Sequence, residues 1–217
     1  MDGIGTVTWE TFIKDAQALL KVSDKIHDDW ELVGDKGAPG MAYLSRQVKT
    51  YVPCEYPIDE PPTGTDNDYW AKNLDTRLAK DPFEAASKDE RPLITLHHVL
   101  WSMSYSVPVL YFNGWKSDFA GCNPVSAEVA QKLISNNNLC YSELSQAIHP
   151  ILGTPFLQLH PCGSQDLLRH VWKSNNKLVS WLSVAAPAAL QLKLHEDYYK
   201  LTIADESREP EVMYEAY

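Results

Sequence analysis

Leu93-Ile94-Thr95-Leu96-His97-His98-Val99-Leu100-Trp101-Ser102-Met103-Ser104-Tyr105 is the most strand-forming run in the chain, and after a small break Val107-Pro108-Val109-Leu110-Tyr111-Phe112 continues it. Side chains alternate across a strand, so Leu93, Thr95, His97, Val99, Trp101, Met103 and Tyr105 share one face and Ile94, Leu96, His98 and Leu100 the other. Both faces are largely apolar, which predicts central strands covered on two sides rather than an edge. Pro108 has no N–H to give to a ladder, so it marks a bend or a free edge.

Upstream of these strands, Trp9, Phe12, Ile13, Ala16, Leu19, Leu20 and Ile26 recur at three- and four-residue spacings. That is one apolar stripe on a helix of about five turns, with Thr8 as its N-cap and Glu10 in its first turn. Its polar face mixes Lys, Asp, Gln and Glu, whereas membrane-surface helices concentrate Lys and Arg there; the stripe reads as core. Trp30 to Val33 predicts a short strand, Gly34 to Gly40 a turn, and Met41 to Tyr51 a second strand, together a hairpin. From Val52 to Pro92 the character changes: six prolines punctuate the run, with ten acidic residues against five basic. Residues 52–92 read as a long acidic surface insertion.

Downstream, Ser126 caps a short helix carrying Val129, Ala130, Leu133 and Ile134, and the three asparagines from Asn136 stop it. Phe156 and Leu157 open an apolar strand that runs into Cys162. Ser164 is expected to cap a helix with Leu167, Leu168, Val171 and Trp172 on its apolar side. Another helix runs from about Asn175 to Ala185 and ends at Pro187. Residues 205–217 hold five acids and one Arg, an acidic tail. The chain therefore divides into a single domain over 1–204, interrupted by the insertion, and the tail. Its class is α+β, an antiparallel sheet with helices on one side and at one end.

The composition narrows the function. The chain has 217 residues, 44% of them apolar, enough for one core but not for two full domains. Nineteen Lys and Arg stand against 29 Asp and Glu, a formal charge of −10. Nucleic acids and anionic membranes recruit basic surfaces, so neither is an expected partner. No apolar run is long enough to span a bilayer, and the start Met-Asp-Gly-Ile-Gly lacks a basic-then-apolar signal segment. The four cysteines, Cys54, Cys122, Cys140 and Cys162, show no paired spacing. A soluble, reduced, cytoplasmic protein is expected.

The chemistry concentrates at Gln158-Leu159-His160-Pro161-Cys162-Gly163-Ser164, where strand gives way to helix. The partial positive charge at a helix N-terminus favours thiolate, and thiolate is the nucleophile. The residues alone leave three readings open: a reactive thiol, a buried inert one, or a metal ligand. His97 and His98 are adjacent and face opposite sides of a strand, so they do not jointly hold one metal. His149 and His170 near Cys162 would make a Cys/His hydrolase.

The strand pair ending Ser104-Tyr105-Ser106-Val107-Pro108-Val109-Leu110-Tyr111-Phe112, followed by Phe156-Leu157-Gln158-Leu159-His160-Pro161-Cys162, resembles the autophagy-related protein 10 family. The likeness covers the helix–hairpin start, the long strands, the cysteine segment and the later helices, but neither the acidic insertion nor the tail. It implies a variant ubiquitin-conjugating (E2-like) fold and a two-step transfer without cofactor or metal. The E1-like autophagy-related protein 7 would hand the ubiquitin-like autophagy-related protein 12 to Cys162 as a thioester. A Lys of autophagy-related protein 5 would then take it as an isopeptide. Ordinary ubiquitin-conjugating enzymes place His-Pro-Asn several residues before their Cys; here the Cys itself stands third, so the oxyanion donor is left open. The resemblance points to His160 for orienting a loop or donating a hydrogen bond near the thioester, and to Tyr105 for positioning the incoming Lys. A sibling family shares His-Pro-Cys but delivers its modifier to phosphatidylethanolamine, and an inactive scaffold of the same fold is the third alternative.

Overall fold

The computed structural model describes residues 3–53, 90–136 and 144–203. The N-terminal stripe forms α1 (Trp9–Ile26), and Thr8 caps it by accepting from the Thr11 N–H at 3.2 Å. His27 ends it in the left-handed conformation (φ 55°), its N–H returning to the Ser23 carbonyl. Next come β1 (Glu31–Gly34) and β2 (Ala42–Pro53). Gly34 has φ +103°, and a Cβ there would lie 2.2 Å from the Met41 carbonyl oxygen, so this hairpin admits only glycine. The long strands are β3 (Glu90–Ser102) and β4 (Val107–Trp115). After α2 (Ala127–Asn136) come β5 (Leu144–Ile148), β6 (Pro155–Leu159), α3 (Cys162–His170) and α4 (Lys177–Ala185). Two short 3₁₀ turns, Ala186–Ala188 and Glu196–Leu201, follow.

The described strands make one antiparallel sheet in the order β1-β2-β3-β4-β6-β5. Its register sorts the side chains by face. Leu44, Val99 and Leu110 lie in one row, all fully buried. At about 1.5–3 kcal/mol per fully buried aliphatic side chain, such rows dominate the core. Helices α1 and α4 cover this face, where Trp9 stacks on Phe12 and packs against Trp101. The opposite face carries Tyr43, His98 and Tyr111, roofed by His149 and Phe156. The expected α+β arrangement of an antiparallel sheet flanked by helices is therefore present.

Several boundaries differ from expectation. The long strand ends at Ser102, and Met103 to Ser106 form a turn closed by the Ser106 N–H on the Ser102 carbonyl at 2.8 Å, with Ser106 at φ 51°. The β-forming side chains of Met103 and Tyr105 mask this turn in the sequence. Strand β5 has no counterpart in the sequence reading. Its five residues are half-polar, and it gains strand character by pairing with β6 from Leu144↔Leu159 to Ile148↔Pro155. Strands β2 and β3 reach into 52–92 at both ends, with Val52 opposite Arg91 and Pro53 opposite Glu90. The rest of the acidic insertion, the tail, Cys54 and Cys140 lie outside the described residues.

Candidate functional site

Cys162 is the first residue of α3, and its thiol is exposed. The residue before it, Pro161, holds φ −67°, a helical value that Pro adopts without cost, so the chain enters the helix straight from the proline. His160 precedes the proline, and its Nδ1 accepts the Cys162 N–H at 3.3 Å. A ring nitrogen that accepts carries no proton, so the neutral His160 ring keeps its proton on Nε2. Tyr105, in the β3–β4 turn and 43% exposed, sets its ring edge-on to His160, with centroids 6.4 Å apart. The structure thus brings Cys162, His160 and Tyr105 to one place. Tyr105 sits in a turn rather than on the strand where the sequence put it.

Ser164 does not cap this helix, because α3 starts two residues earlier. Its side chain is fully buried, donates to the Pro108 carbonyl at 3.0 Å and accepts the Trp181 Nε1–H at 3.1 Å. The sequence held a signal for this: Ser164 precedes Leu167 and Leu168 by three and four residues, so it lies on the helix's apolar side.

The two other histidines considered for Cys162 are placed elsewhere. His170 lies in the last turn of α3, about 12 Å along the axis from Cys162, with Nδ1 on the Asp166 carbonyl oxygen at 2.7 Å. His149 is fully buried, and its Nδ1 accepts the N–H groups of Ile151 and Leu152 at 3.3 and 3.1 Å. Its proton is therefore on Nε2, which donates to His98 Nδ1 at 3.1 Å. Burial is the main reason that both rings sit far below the ordinary imidazole value, His149 at about 4 and His98 at about 3; in His98 the neighbouring His149 and His97 add to it. On the opposite face His97 Nε2–H donates to the Ala189 carbonyl at 2.8 Å. The hydrolase pairing of His149 or His170 with Cys162 is not assembled.

A groove of about 440 Å³ ends at this site. Leu100, Val109 and Tyr111 line it together with Tyr105, Pro150 and Pro161, the last being the residue before Cys162. A second groove of about 430 Å³, between Arg46, His97 and Leu190, lines no cysteine. No described helix is long and apolar enough to cross a membrane.

The model of the autophagocytosis associated protein active-site domain matches residues 11–195, most of the chain and all of the site. The chain belongs to that family. It is 34% identical over 130 residues to the ubiquitin-like-conjugating enzyme ATG10 of Homo sapiens, covering 52% of this chain and 56% of that protein. The enzymes of the same name from Arabidopsis thaliana and Dictyostelium discoideum are 33% and 32% identical over 103 and 123 residues. These cover 40% and 47% of this chain and 44% and 52% of those proteins. The chain spans about half the length of the curated relatives it matches. The resemblance that the long strands and the cysteine segment carry is borne out.

Proposed function

We propose that the chain is an E2-like conjugating enzyme that carries autophagy-related protein 12 as a thioester on Cys162 and passes it to a Lys of autophagy-related protein 5. The observation that carries this reading is an exposed thiol at the first residue of a helix, beside His160 and Tyr105, within the stretch matched to the family's active-site domain. The names of the relatives support the class of reaction, since each is a ubiquitin-like-conjugating enzyme.

In the first step the Cys162 thiolate attacks the carbonyl carbon of the modifier's C-terminal Gly, held as a thioester on autophagy-related protein 7. An S–C bond forms, and the activating enzyme's thiolate leaves. In the second step a neutral Lys amine attacks the same carbon. The tetrahedral oxyanion collapses, Cys162 leaves as thiolate, and the amine nitrogen passes one of its protons to solvent water to become an isopeptide nitrogen. His160 holds the loop around the nucleophile by accepting the Cys162 N–H, and its Nε2–H is the donor end of the ring. Tyr105 positions the incoming amine with its hydroxyl. No cofactor enters either step.

The test is a non-reducing gel after incubation with activating enzyme, ATP and each candidate modifier. A thiol-sensitive shift with autophagy-related protein 12 is expected, absent in Cys162→Ala and replaced in Cys162→Ser by a thiol-resistant oxyester or by no product. Normal thiol-sensitive loading of Cys162→Ser would overturn the assignment. Loading followed by transfer to phosphatidylethanolamine would move the chain to the sibling chemistry, and no loading of any modifier would favour a scaffold.

A further inference from the structure

The buried hydroxyl of Ser164 links three elements. Trp181, fully buried in α4, needs an acceptor for its Nε1–H, and Ser164 Oγ supplies it at 3.1 Å. The Ser164 proton goes to the Pro108 carbonyl at 3.0 Å. A hydroxyl carries one proton, so the donor side of Ser164 is committed to β4 while a lone pair is committed to α4. Pro108 stands opposite Trp101 at the start of β4, before the pairing of β4 with β6 begins at Tyr111. The site residues are close to both ends of this link. Cys162 lies two residues, about 3 Å of helix rise, before Ser164. Tyr105 lies in the turn that leads directly into Val107 and Pro108.

We propose that Ser164 is a positioning residue for acyl transfer, holding the first turn of α3 against β4 and α4 so that the Cys162 sulfur keeps a fixed place relative to Tyr105 and His160. This rests on the conjugating function proposed above and adds a residue to it. Ser164 does not react, because its hydroxyl is fully buried and both its roles are taken. Alanine cannot supply either bond. Trp181→Phe removes the indole donor, along with part of the packing of a fully buried ring, and leaves the bond to Pro108 in place; the thermal unfolding check reads the packing loss, and the discharge rate reads the α4 half of the link.

The experiment compares wild type with Ser164→Ala, Trp181→Phe, Tyr105→Phe and the Ser164→Ala/Tyr105→Phe double variant, each checked for folding by thermal unfolding. The first readout is single-turnover discharge of the loaded thioester to free lysine at a temperature well below the unfolding transition. A displacement of about 1 Å at a reacting centre slows reaction on the order of 10²-fold. Ser164→Ala is therefore expected to lower the maximal discharge rate about 10- to 100-fold with little change in the lysine concentration for half-maximal rate. Trp181→Phe should lower it less, and Tyr105→Phe should add little once Ser164 is Ala. A wild-type rate in folded Ser164→Ala, or losses that multiply fully in the double variant, would overturn the proposal. If Ser164→Ala does not fold, Trp181→Phe decides by the same criterion. The second readout needs no modifier: the pH dependence of iodoacetamide alkylation, followed by mass spectrometry of the Cys162 peptide. Loosening the first turn removes part of the helix's support for thiolate, so the alkylation midpoint is expected to move to higher pH in Ser164→Ala. If wild type loads no modifier, the conjugating function fails, and an unchanged alkylation profile would separately overturn the role of Ser164.

Discussion

At the scale of single residues, the site depends on how few atoms separate a structural role from a chemical one. Tyr105 offers two features: a ring that meets the His160 imidazole edge-on, and a hydroxyl at a position that is 43% exposed. Tyr105→Phe removes the hydroxyl and keeps the ring contact, so the fold should be unchanged within about 0.5 kcal/mol, as for surface substitutions generally. If the hydroxyl positions the acceptor amine, loading of Cys162 is expected at the wild-type rate while discharge slows about 10-fold, below the roughly 10²–10⁴-fold of a group that itself transfers the proton. Separate measurements of loading and discharge check this, and an unchanged discharge rate would remove Tyr105 from the transfer step. Tyr105→Ala also removes the ring; a further loss of discharge in that variant would measure the packing on His160.

At the scale of elements, the start of α4 draws part of its cap from a distant part of the chain. Asp15 belongs to α1 and reads on the sequence as one of its polar-face residues, yet it is only 3% exposed. Its Oδ2 accepts the Leu178 N–H at 3.2 Å, and its carbonyl accepts the Asn176 Nδ2–H at 3.0 Å. Asn176 in turn caps α4 through the Val179 N–H at 2.8 Å. A carboxylate at a helix N-terminus satisfies an orphan donor and complements the helix dipole. Asp15→Ala leaves a buried N–H unpaired and is expected to destabilise the protein by about 2 kcal/mol, read as a lower urea midpoint; Asp15→Asn should recover part of the loss. A midpoint unchanged in Asp15→Ala would show that water replaces the carboxylate. The same example marks what the sequence reveals and what it hides. The alternation from Leu93 to Leu100 reveals both faces of β3, because a period of two belongs to a strand with both sides covered. The spacing of α1 reveals its stripe, and two-residue separation alone brings His160 to Cys162. Asp15 on α4, Tyr105 on His160 and Ser164 between Pro108 and Trp181 are long-range contacts, set by how the layers pack, and no local pattern encodes them. Strand β5 is hidden for the same reason, since its neighbour β6 supplies the pairing.

At the scale of the whole molecule, the sheet holds buried imidazoles on both faces, and all of them are kept neutral. His97, under the helices, is pushed down to about 4, mainly by burial and further by Arg46, with its bond to the Ala189 carbonyl opposing. His98 and His149, on the other face, sit at about 3 and about 4, again mainly through burial. Their single hydrogen bond needs His98 Nδ1 as acceptor, so protonating His98 sets two N–H groups against each other. In the unfolded chain all three titrate at about 6.5. Between that value and the folded values the unfolded state binds more protons, so stability is fully present above about pH 6.5 and falls as pH drops towards 4. Each independent group contributes a slope of about 1.4 kcal/mol per pH unit in that window; coupling within the His98–His149 pair holds the sum below three times this figure. Domains of this kind have about 5–15 kcal/mol in total, so acid should unfold this one before its folded-state histidines titrate. Urea midpoints measured from pH 8 to 5 are expected to be level above about pH 7 and to fall steeply below 6.5, ahead of most carboxylate protonation. His149→Asn keeps an acceptor for the Ile151 and Leu152 N–H groups and removes one titrating ring, so its profile should fall less steeply. A wild-type midpoint that stays level down to pH 5 would mean that the rings are charged or hydrated in the folded protein. The roof that His149 makes over the outer face would then owe nothing to neutral imidazole.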